Sequence, residues 1–250
     1  MLAWQEIETV LLDMDGTLID LHFDNYFWQR LVPERWGASR GLSLEAARQQ
    51  LAPVFAAVAG TLNWYCLDYW REQLGLDILA LKREIADKIR WRADVRPFLE
   101  AVRASGRRLY LFTNAHPDSL ALKLEHTALD RYLDGLYSTH AFGASKEDAS
   151  CWQALQASLP FAAERTLFVD DSPRILHAAR DFGIGHLLGI LNPDSQQPHQ
   201  SMPGLPAISD YRTLLPDLLA NPWVAHDPVS AEVARCDNMT KSTLHARHVR

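Results

Sequence analysis

The segment VLLDMDGT, residues 10–17, joins a short apolar run to two carboxylates one residue apart and then to a Gly-Thr turn. Successive side chains of a strand point to opposite faces, so Asp13 and Asp15 at a strand end would leave the sheet on the same side. Two carboxylates held this close repel each other unless a cation or a shared proton relieves them. The segment therefore predicts a metal-dependent pair of nucleophile and acid, although a turn that merely ends a strand fits the same letters.

The chain changes character after this segment. Residues 44–58 and 76–89 have helical periodicity, and no strand pattern interrupts residues 20–92. Three apolar strand patterns, separated by helical stretches, follow at 109–112, 166–169 and 187–190. Because the first strand has no partner in the helical region, it has to pair with these later strands.

We therefore predict an α/β fold, a Rossmann-like parallel sheet flanked by helices, built from residues 1–19 and 93–220. Residues 20–92 form an inserted, all-helical domain, which we call the cap. The tail, residues 221–250, has scattered Pro, Asp, His and Arg with no sustained period, and we expect it to be disordered.

Polar side chains follow the ends of three predicted strands. They are Asp13, Asp15, Thr113, Asn114, Asp170 and Asp171. Open parallel sheets bind ligands at the carboxyl ends of their strands, so these side chains are expected to converge. Pro117 and the pair Ser172-Pro173 predict helix starts just beyond two of the strands, and helix N-termini favour anions.

Composition limits the class of partner. The formal net charge of -6 argues against a nucleic-acid groove, and no segment is apolar for long enough to span a bilayer. The three cysteines, Cys66, Cys151 and Cys236, show no C-x-x-C pairing and predict neither a disulfide framework nor a zinc knuckle. We expect a cytoplasmic protein that acts on a small molecule, with no nucleic acid or membrane as partner and with its oligomeric state left open.

Taken together, the motifs resemble the four motifs of the haloacid dehalogenase-like (HAD) hydrolases, which here are Asp13-x-Asp15, Thr113-Asn114, Lys146 and Asp170-Asp171. The resemblance implies that Asp13 is a nucleophile that forms an aspartyl-phosphate. It also implies that Asp15 protonates the leaving oxygen and later activates the hydrolytic water.

The same resemblance implies a magnesium site. An Asp13 carboxylate oxygen, the backbone carbonyl of Asp15 and Asp170 would hold Mg²⁺, with water and substrate phosphate as further ligands. Asp171 would support these ligands from behind.

The resemblance also implies a phosphate site. Thr113 and Asn114 would hold phosphate oxygens, and Lys146 would offset the negative charge of nucleophile and phosphate. Taken singly, Thr113-Asn114 also fits a plain helix entry, and Lys146 also fits a surface lysine. His116 and Lys123, on the following helix, could face either the site or solvent.

Four further segments resemble the bacterial GMP/IMP nucleotidase branch of the family. They are HFDNYFW at 22–28, TLNWYCLDYW at 61–70, TNAHP at 113–117 and NPDS at 192–195. This likeness covers roughly residues 3–219 and implies a purine nucleoside 5'-monophosphatase, with Trp64 and Tyr65 of the cap as candidates to contact substrate. The aromatic residues of the cap also fit a simple cap core.

Alternatives remain within the family. The chain could be a phosphatase of another small ester, such as a sugar phosphate or phosphoglycolate, or a phosphosugar mutase with the same core and cap. A binding protein without catalysis should have lost an acid or Lys146, and a haloacid dehalogenase should need neither magnesium nor Asp15.

Overall fold

A computed structural model describes residues 2–224 of the chain. The described strands are β1 (Thr9–Leu12), β2 (Arg108–Thr113), β3 (Gly135–Ser138), β4 (Thr166–Asp170), β5 (His186–Ile190) and β6 (Ala207–Ile208). They form one sheet in the order β3-β2-β1-β4-β5-β6, and every neighbouring pair is parallel. The predicted parallel α/β sheet is therefore confirmed, with β1 at its centre between β2 and β4.

Helices cover both faces of this sheet. They are α7 (Val95–Ala104), α8 (Pro117–Thr127), α9 (Ala149–Ser158), α10 (Pro173–Phe182) and α11 (Leu215–Ala220). Every residue of β1 is buried, as a strand covered on both sides requires. Val10 and Leu12 pack into the core that includes α7 and α8, whereas Leu11 packs into the core that includes α9 and α10.

The cap contains the helices between β1 and α7. They are α1 (His22–Tyr26), α2 (Val32–Ala38), α3 (Leu44–Ala56), α4 (Leu62–Tyr65), α5 (Leu67–Leu74) and α6 (Ile78–Glu84). A π-helical turn, Phe27–Leu31, joins α1 to α2. The apolar residues of the cap and those of one sheet face belong to a single continuous cluster, so the cap is packed directly on the core.

Two predictions differ from the structure in detail. The helical pattern at 76–89 divides into α6 and a short 3₁₀ turn, Ala86–Lys88, because the backbone of Ile85 leaves the helical conformation. Strands β3 and β6 were not predicted. Their short sequences, GLYS and AI, carry too few alternating apolar residues to show a period.

Two helix starts beside the strand ends are confirmed. Ser172 caps α10, whose first residue is Pro173 and which ends at the left-handed Gly183. Pro117 is the first residue of α8, and the His116 side chain accepts the capping hydrogen bond from the Asp118 N–H.

The first residues of the predicted tail pack on the core. The Trp223 N–H donates to the Ser105 carbonyl at 2.8 Å, and the Arg165 guanidinium lies 4.5 Å from the Trp223 ring. The rest of the tail, 225–250, lies outside the described residues, so the expectation of disorder there stays a prediction. No helix among residues 2–224 is long and apolar enough to cross a membrane.

Candidate active site

The chain turns sharply where β1 ends. The N–H groups of Leu18 and Ile19 both donate to the Met14 carbonyl at 2.9 Å, and Gly16 has a positive φ of 84°. A Cβ on Gly16 would lie 2.5 Å from a carboxylate oxygen of Asp171. Glycine is therefore required here both for its backbone conformation and for the close approach of the acid.

Lys146 lies between two of the predicted acids. Its Nζ donates to Asp13 Oδ1 at 2.6 Å and to Asp170 Oδ2 at 2.7 Å, and all three side chains are buried. Burial opposes the charge on Lys146, but the two carboxylates outweigh it and raise the pKa of the ammonium. Lys146 is thus a fixed cation inside the site and not a surface lysine.

Three carboxylates form a compact oxygen cluster. Asp13, Asp170 and Asp171 each place an oxygen within 4.8 Å of the others. Burial raises the pKa of Asp170 to about 7, although the charge of Lys146 opposes the rise. The pKa of Asp171 is also raised, mainly by burial and in addition by the nearby charge of Asp170. So many acids in one buried space need a cation, and the group could hold a divalent ion. The Asp171 side chain, which was expected only to support the ligands from behind, is a member of this cluster.

A hydrogen-bonded chain fixes the end of β2 against the cap. Asn114 Oδ1 accepts from the Lys146 N–H at 2.9 Å, and Asn114 Nδ2 donates to Glu147 at 3.2 Å. The Tyr65 hydroxyl, from the cap, donates to the other Glu147 oxygen at 2.9 Å. The Thr113 hydroxyl accepts from the Ala115 N–H at 3.0 Å and orders the turn that follows β2.

Asp15 lies in a second charged network, which sequence analysis found only in part. Lys123 Nζ donates to Asp15 Oδ1 at 2.5 Å and to Asp24 Oδ2 at 2.6 Å, and Lys82 Nζ donates to Asp24 Oδ1 at 2.8 Å. The sequence allowed Lys123 to face either the site or solvent, and the structure buries it beside Asp15. Asp24 and Lys82 belong to the cap, so the network joins the cap to the core.

The networks give Asp15 and Asp24 different protonation behaviour. Burial raises the pKa of Asp15 to about 6, against the opposing effect of Lys123 and with a further rise from Asp24. Burial also disfavours charge on Asp24, but Lys123 and Lys82 outweigh it and lower the pKa of that carboxyl. Asp15 can therefore exchange a proton near neutral pH, whereas Asp24 remains a carboxylate.

A signal for Lys82 was present in the sequence. Ile78, Leu81, Lys82 and Ile85 fall at helical spacing on one buried face, so a lysine stands where the period expects an apolar residue. Such a residue needs a buried acid as partner. Asp24 and Glu147 gave no comparable signal, because their partners are far away in the sequence.

Two adjoining cavities meet at Asp15. One, of about 140 Å³, is lined by the predicted residues Asp13, Asp15, Tyr65, Thr113, Asn114, Lys146, Asp170 and Asp171, among others. The other, of about 50 Å³, is lined by residues that include Asp15, Asp24, Trp28, Trp64, Tyr65, Lys82 and His116. A substrate could thus place an anion in the first cavity and its leaving group toward the second.

Trp64 and Tyr65, the two candidates to contact substrate, differ in how they line the cavities. Tyr65 lines both cavities. Trp64 lines only the smaller one and packs in a cluster of aromatic rings with Trp28, Phe55 and Trp70, at centroid distances of 5.9, 5.8 and 5.8 Å. Trp64 is thus a residue of the cap core with one side toward the cavity.

Comparison with known proteins places this geometry in a family. The family model for haloacid dehalogenase-like hydrolases matches residues 7–183. The GMP/IMP nucleotidase YrfG of Escherichia coli (strain K12) is 54% identical over 218 residues, which cover 87% of this chain and 98% of that protein. The enolase-phosphatase E1 of Gluconacetobacter diazotrophicus is 30% identical over 196 residues, 71% of this chain and 81% of its own.

Solved structures agree on the fold. A HAD phosphatase from Thermococcus onnurineus superimposes with a TM-score of 0.72 at 20% identity, covering 87% of this chain and all of its own. The L-2-haloacid dehalogenase of Xanthobacter autotrophicus gives 0.59 at 15% identity, covering 86% and 98%. Since the family model spans most of the chain and a relative is 54% identical along nearly its whole length, the chain belongs to the haloacid dehalogenase-like hydrolases.

Proposed function

We propose that the protein is a magnesium-dependent phosphatase that removes the 5'-phosphate from the purine nucleoside monophosphates GMP and IMP. The observation that carries the proposal is the 54% identity with the GMP/IMP nucleotidase of Escherichia coli, which extends through cap and core alike. The charged groups at the strand ends support the same chemistry, because they supply a carboxylate nucleophile, a cation and an acid in one place.

In the first step a carboxylate oxygen of Asp13 attacks phosphorus in line with the bond to the nucleoside 5'-oxygen. As that bond breaks, Asp15 gives its proton to the departing oxygen, so the nucleoside leaves as a neutral alcohol. The raised pKa of Asp15, about 6, keeps a share of this carboxyl protonated near neutral pH. The products of the step are the nucleoside and a phosphoryl group on Asp13.

In the second step water replaces Asp13 on phosphorus. Asp15, now a carboxylate, takes a proton from the water, whose oxygen attacks phosphorus and releases inorganic phosphate and free Asp13. Lys146 offsets the charge on Asp13 and on the phosphate oxygens, while Thr113 and the Asn114 backbone amide donate to those oxygens. Lys146 already lies where this role requires it, since its Nζ donates a hydrogen bond to Asp13.

The acidic cluster suits magnesium. Asp13 and Asp170, with the backbone carbonyl of Asp15, would hold the ion, and the position of Asp171 in the same cluster makes it a further candidate. Bound there, Mg²⁺ would neutralise part of the charge on the phosphate. The all-oxygen donor set favours a hard ion such as Mg²⁺ over zinc.

Tyr65 and the smaller cavity form the space into which the leaving group would extend. Tyr65 lines both cavities, and Trp64 lines the smaller one. We assign the larger cavity to the phosphate and the smaller one, with its aromatic lining, to the nucleoside side of the substrate. The likeness to the nucleotidase supports a small phosphate ester as partner, whereas a cytoplasmic location stays a prediction of the sequence.

The proposal is tested by measuring phosphate release from a panel of esters, with Mg²⁺ and with a chelator. We expect GMP and IMP to exceed CMP, UMP, sugar phosphates and phosphoglycolate by at least about tenfold in kcat/KM. We also expect chelation to abolish release. Equal rates across the panel would contradict purine specificity, and conversion of a sugar phosphate into its isomer without phosphate release would show a mutase.

A further inference from the structure

Three metal-binding side chains meet at the boundary between cap and core. Cys66, His116 and His140 each place one ligand atom within 4.8 Å of the others. Cys66 lies between α4 and α5 of the cap, whereas His116 precedes α8 and His140 follows β3 in the core. The cluster is separate from the carboxylates of the candidate active site, with which it shares no residue.

Within residues 2–224, one buried nitrogen of this cluster has no protein partner. His140 Nε2 is buried and has no hydrogen-bond partner among the residues that the structure describes. The His116 and His140 rings meet edge to face, with centroids 5.0 Å apart. Cys66 Sγ accepts one hydrogen bond, from the Tyr69 N–H at 3.5 Å, and keeps a lone pair for a metal ion. A buried nitrogen without a partner costs stability, so its persistence points to a ligand.

We propose that Cys66, His116 and His140 bind a transition-metal ion, Zn²⁺, across the boundary between cap and core. One thiolate and two imidazoles are donors that zinc prefers and that magnesium does not. Asp68 Oδ2 lies 3.6 Å from His116 Nε2, so this carboxylate or a water can take the fourth position. Ligation through Nε2 moves the ring proton to Nδ1, which then gives up the bond from the Asp118 N–H and donates to Asp118 Oδ2, 3.8 Å away.

The geometry requires a small contraction. Tetrahedral zinc with ordinary Zn–S and Zn–N bonds holds such ligand atoms about 3.3–3.6 Å apart. The present atoms lie within 4.8 Å of one another, so rotation of the side chains has to bring them inward by at most about 1 Å. Cys66 is the N-cap of α5, where the helix dipole favours the thiolate, and metal binding releases the thiol proton.

A bound ion would tie the cap to the core. His116 also lines the smaller cavity beside Asp15, so the ion would lie at the border of the space assigned to the nucleoside. We infer that zinc restrains exchange of substrate and product and lowers the rate of phosphate release. This consequence for activity, unlike the metal site, rests on the proposed function.

The metal site is tested with Co²⁺ as a spectroscopic substitute for zinc, added to the full chain in excess Mg²⁺. Ligation by sulfur produces a thiolate-to-cobalt charge-transfer absorption that the carboxylate cluster cannot give. We expect one equivalent of Co²⁺ to produce this absorption in the wild type, and Zn²⁺ to displace it. We expect the Cys66→Ser variant to lose it, while serine keeps the N-cap of α5.

Two other cysteines provide matched controls. Cys151, a buried residue of α9, and Cys236, outside the described residues, are replaced by serine in turn, and both variants should keep the absorption. A second ligand variant, His140→Gln, should weaken Co²⁺ binding by at least about tenfold. Absence of the absorption in the wild type, or its retention in Cys66→Ser, would overturn the proposal.

Phosphate release then tests the consequence separately. Zn²⁺ should inhibit the wild type in excess Mg²⁺ and should inhibit Cys66→Ser much less. Equal inhibition of both proteins would refute the link between cap and core, whatever the absorption shows. If no phosphatase activity is found at all, the cobalt absorption still decides whether the metal site exists.

Discussion

Lys146 controls the electrostatics of the site. Asp13 and Asp170 share its ammonium, and Asp171 lies in the same acidic cluster. Replacement of Lys146 by Met leaves these buried carboxylates without their cation. We expect the free energy of unfolding to fall by about 3–5 kcal/mol in urea titrations with a chelator, and by less in Mg²⁺, which can replace part of the lost charge.

Arg35→Met provides the control for this prediction. Arg35 pairs with Glu84 at 2.7 Å, but both side chains are nearly half exposed. Its loss should cost no more than about 1 kcal/mol. Equal costs for the two variants would show that the charge of Lys146 is not needed inside the site.

Gly16 is the second residue on which the site depends. In Gly16→Ala the positive φ costs about 1–2 kcal/mol. The new Cβ would lie only 2.5 Å from an Asp171 carboxylate oxygen, so the carboxylate has to move away. Gly41 has a similar φ of 67° but open space around it. We expect Gly41→Ala to lose stability alone, and Gly16→Ala to lose more stability and also phosphate release, in urea titrations and activity assays. Full activity in Gly16→Ala would contradict the close approach.

Sequence alone identified the residues whose roles depend on local order. Asp13 and Asp15 were predicted because they follow a strand, and Lys146 because the order of the motifs resembles that of the HAD hydrolases; Lys146 does contact Asp13. Asp24 escaped notice because its partners, Lys82 and Lys123, come close only when α1, α6 and α8 pack together. The 58 residues between Asp24 and Lys82 leave no local pattern for the pair itself, although a lysine on the apolar face of α6 is a signal for Lys82 alone.

At the scale of elements, α6 of the cap meets α8 of the core through a buried network, in which Asp24 accepts from both Lys82 of α6 and Lys123 of α8, and through a surface ion pair. Lys82 of α6 is buried against Asp24, with its Nζ 4.6 Å from the Phe27 ring, whereas Arg83 is exposed and pairs with Glu125 of α8. We expect Lys82→Met to lower the free energy of unfolding by about 1–3 kcal/mol, since Lys123 still neutralises Asp24. Arg83→Met should cost no more than about 1 kcal/mol.

Urea titrations of both variants check this prediction. The comparison is matched, because the two residues are adjacent on one helix and differ in burial. A larger loss for Arg83→Met would mean that the surface pair, and not the buried network, holds the two helices together.

The predicted elements differ in how well their sequences mark them. β1, β2, β4 and β5 were found because buried parallel strands are continuous apolar runs, and α10 because Ser172, Pro173 and Gly183 mark its ends. β3 and β6 lie toward the edges of the sheet and form mainly through pairing with β2 and β5. Tertiary pairing of this kind overrides weak local preference.

At the scale of the whole molecule, the sheet brings the acids together and the cap completes their surroundings. Asp13 ends the central strand, so residues from β2 and β4 reach it from both sides. The cap adds Tyr65 and the pair Asp24–Lys82, which together line the space next to Asp15. Under the proposed function, the core carries out the phosphate chemistry and the cap selects the leaving group.

The central claim, that Asp13 is the nucleophile of a phosphatase, is tested most directly by Mg²⁺-dependent phosphate release from GMP in the Asp13→Asn variant. Asparagine keeps the shape of the side chain but is a far weaker nucleophile. The matched control is Asp181→Asn, an acid of α10 that is 78% exposed. We expect Asp13→Asn to lose activity by at least about 10³-fold and Asp181→Asn to retain it. Release from Asp13→Asn at a rate near that of the wild type would contradict the account.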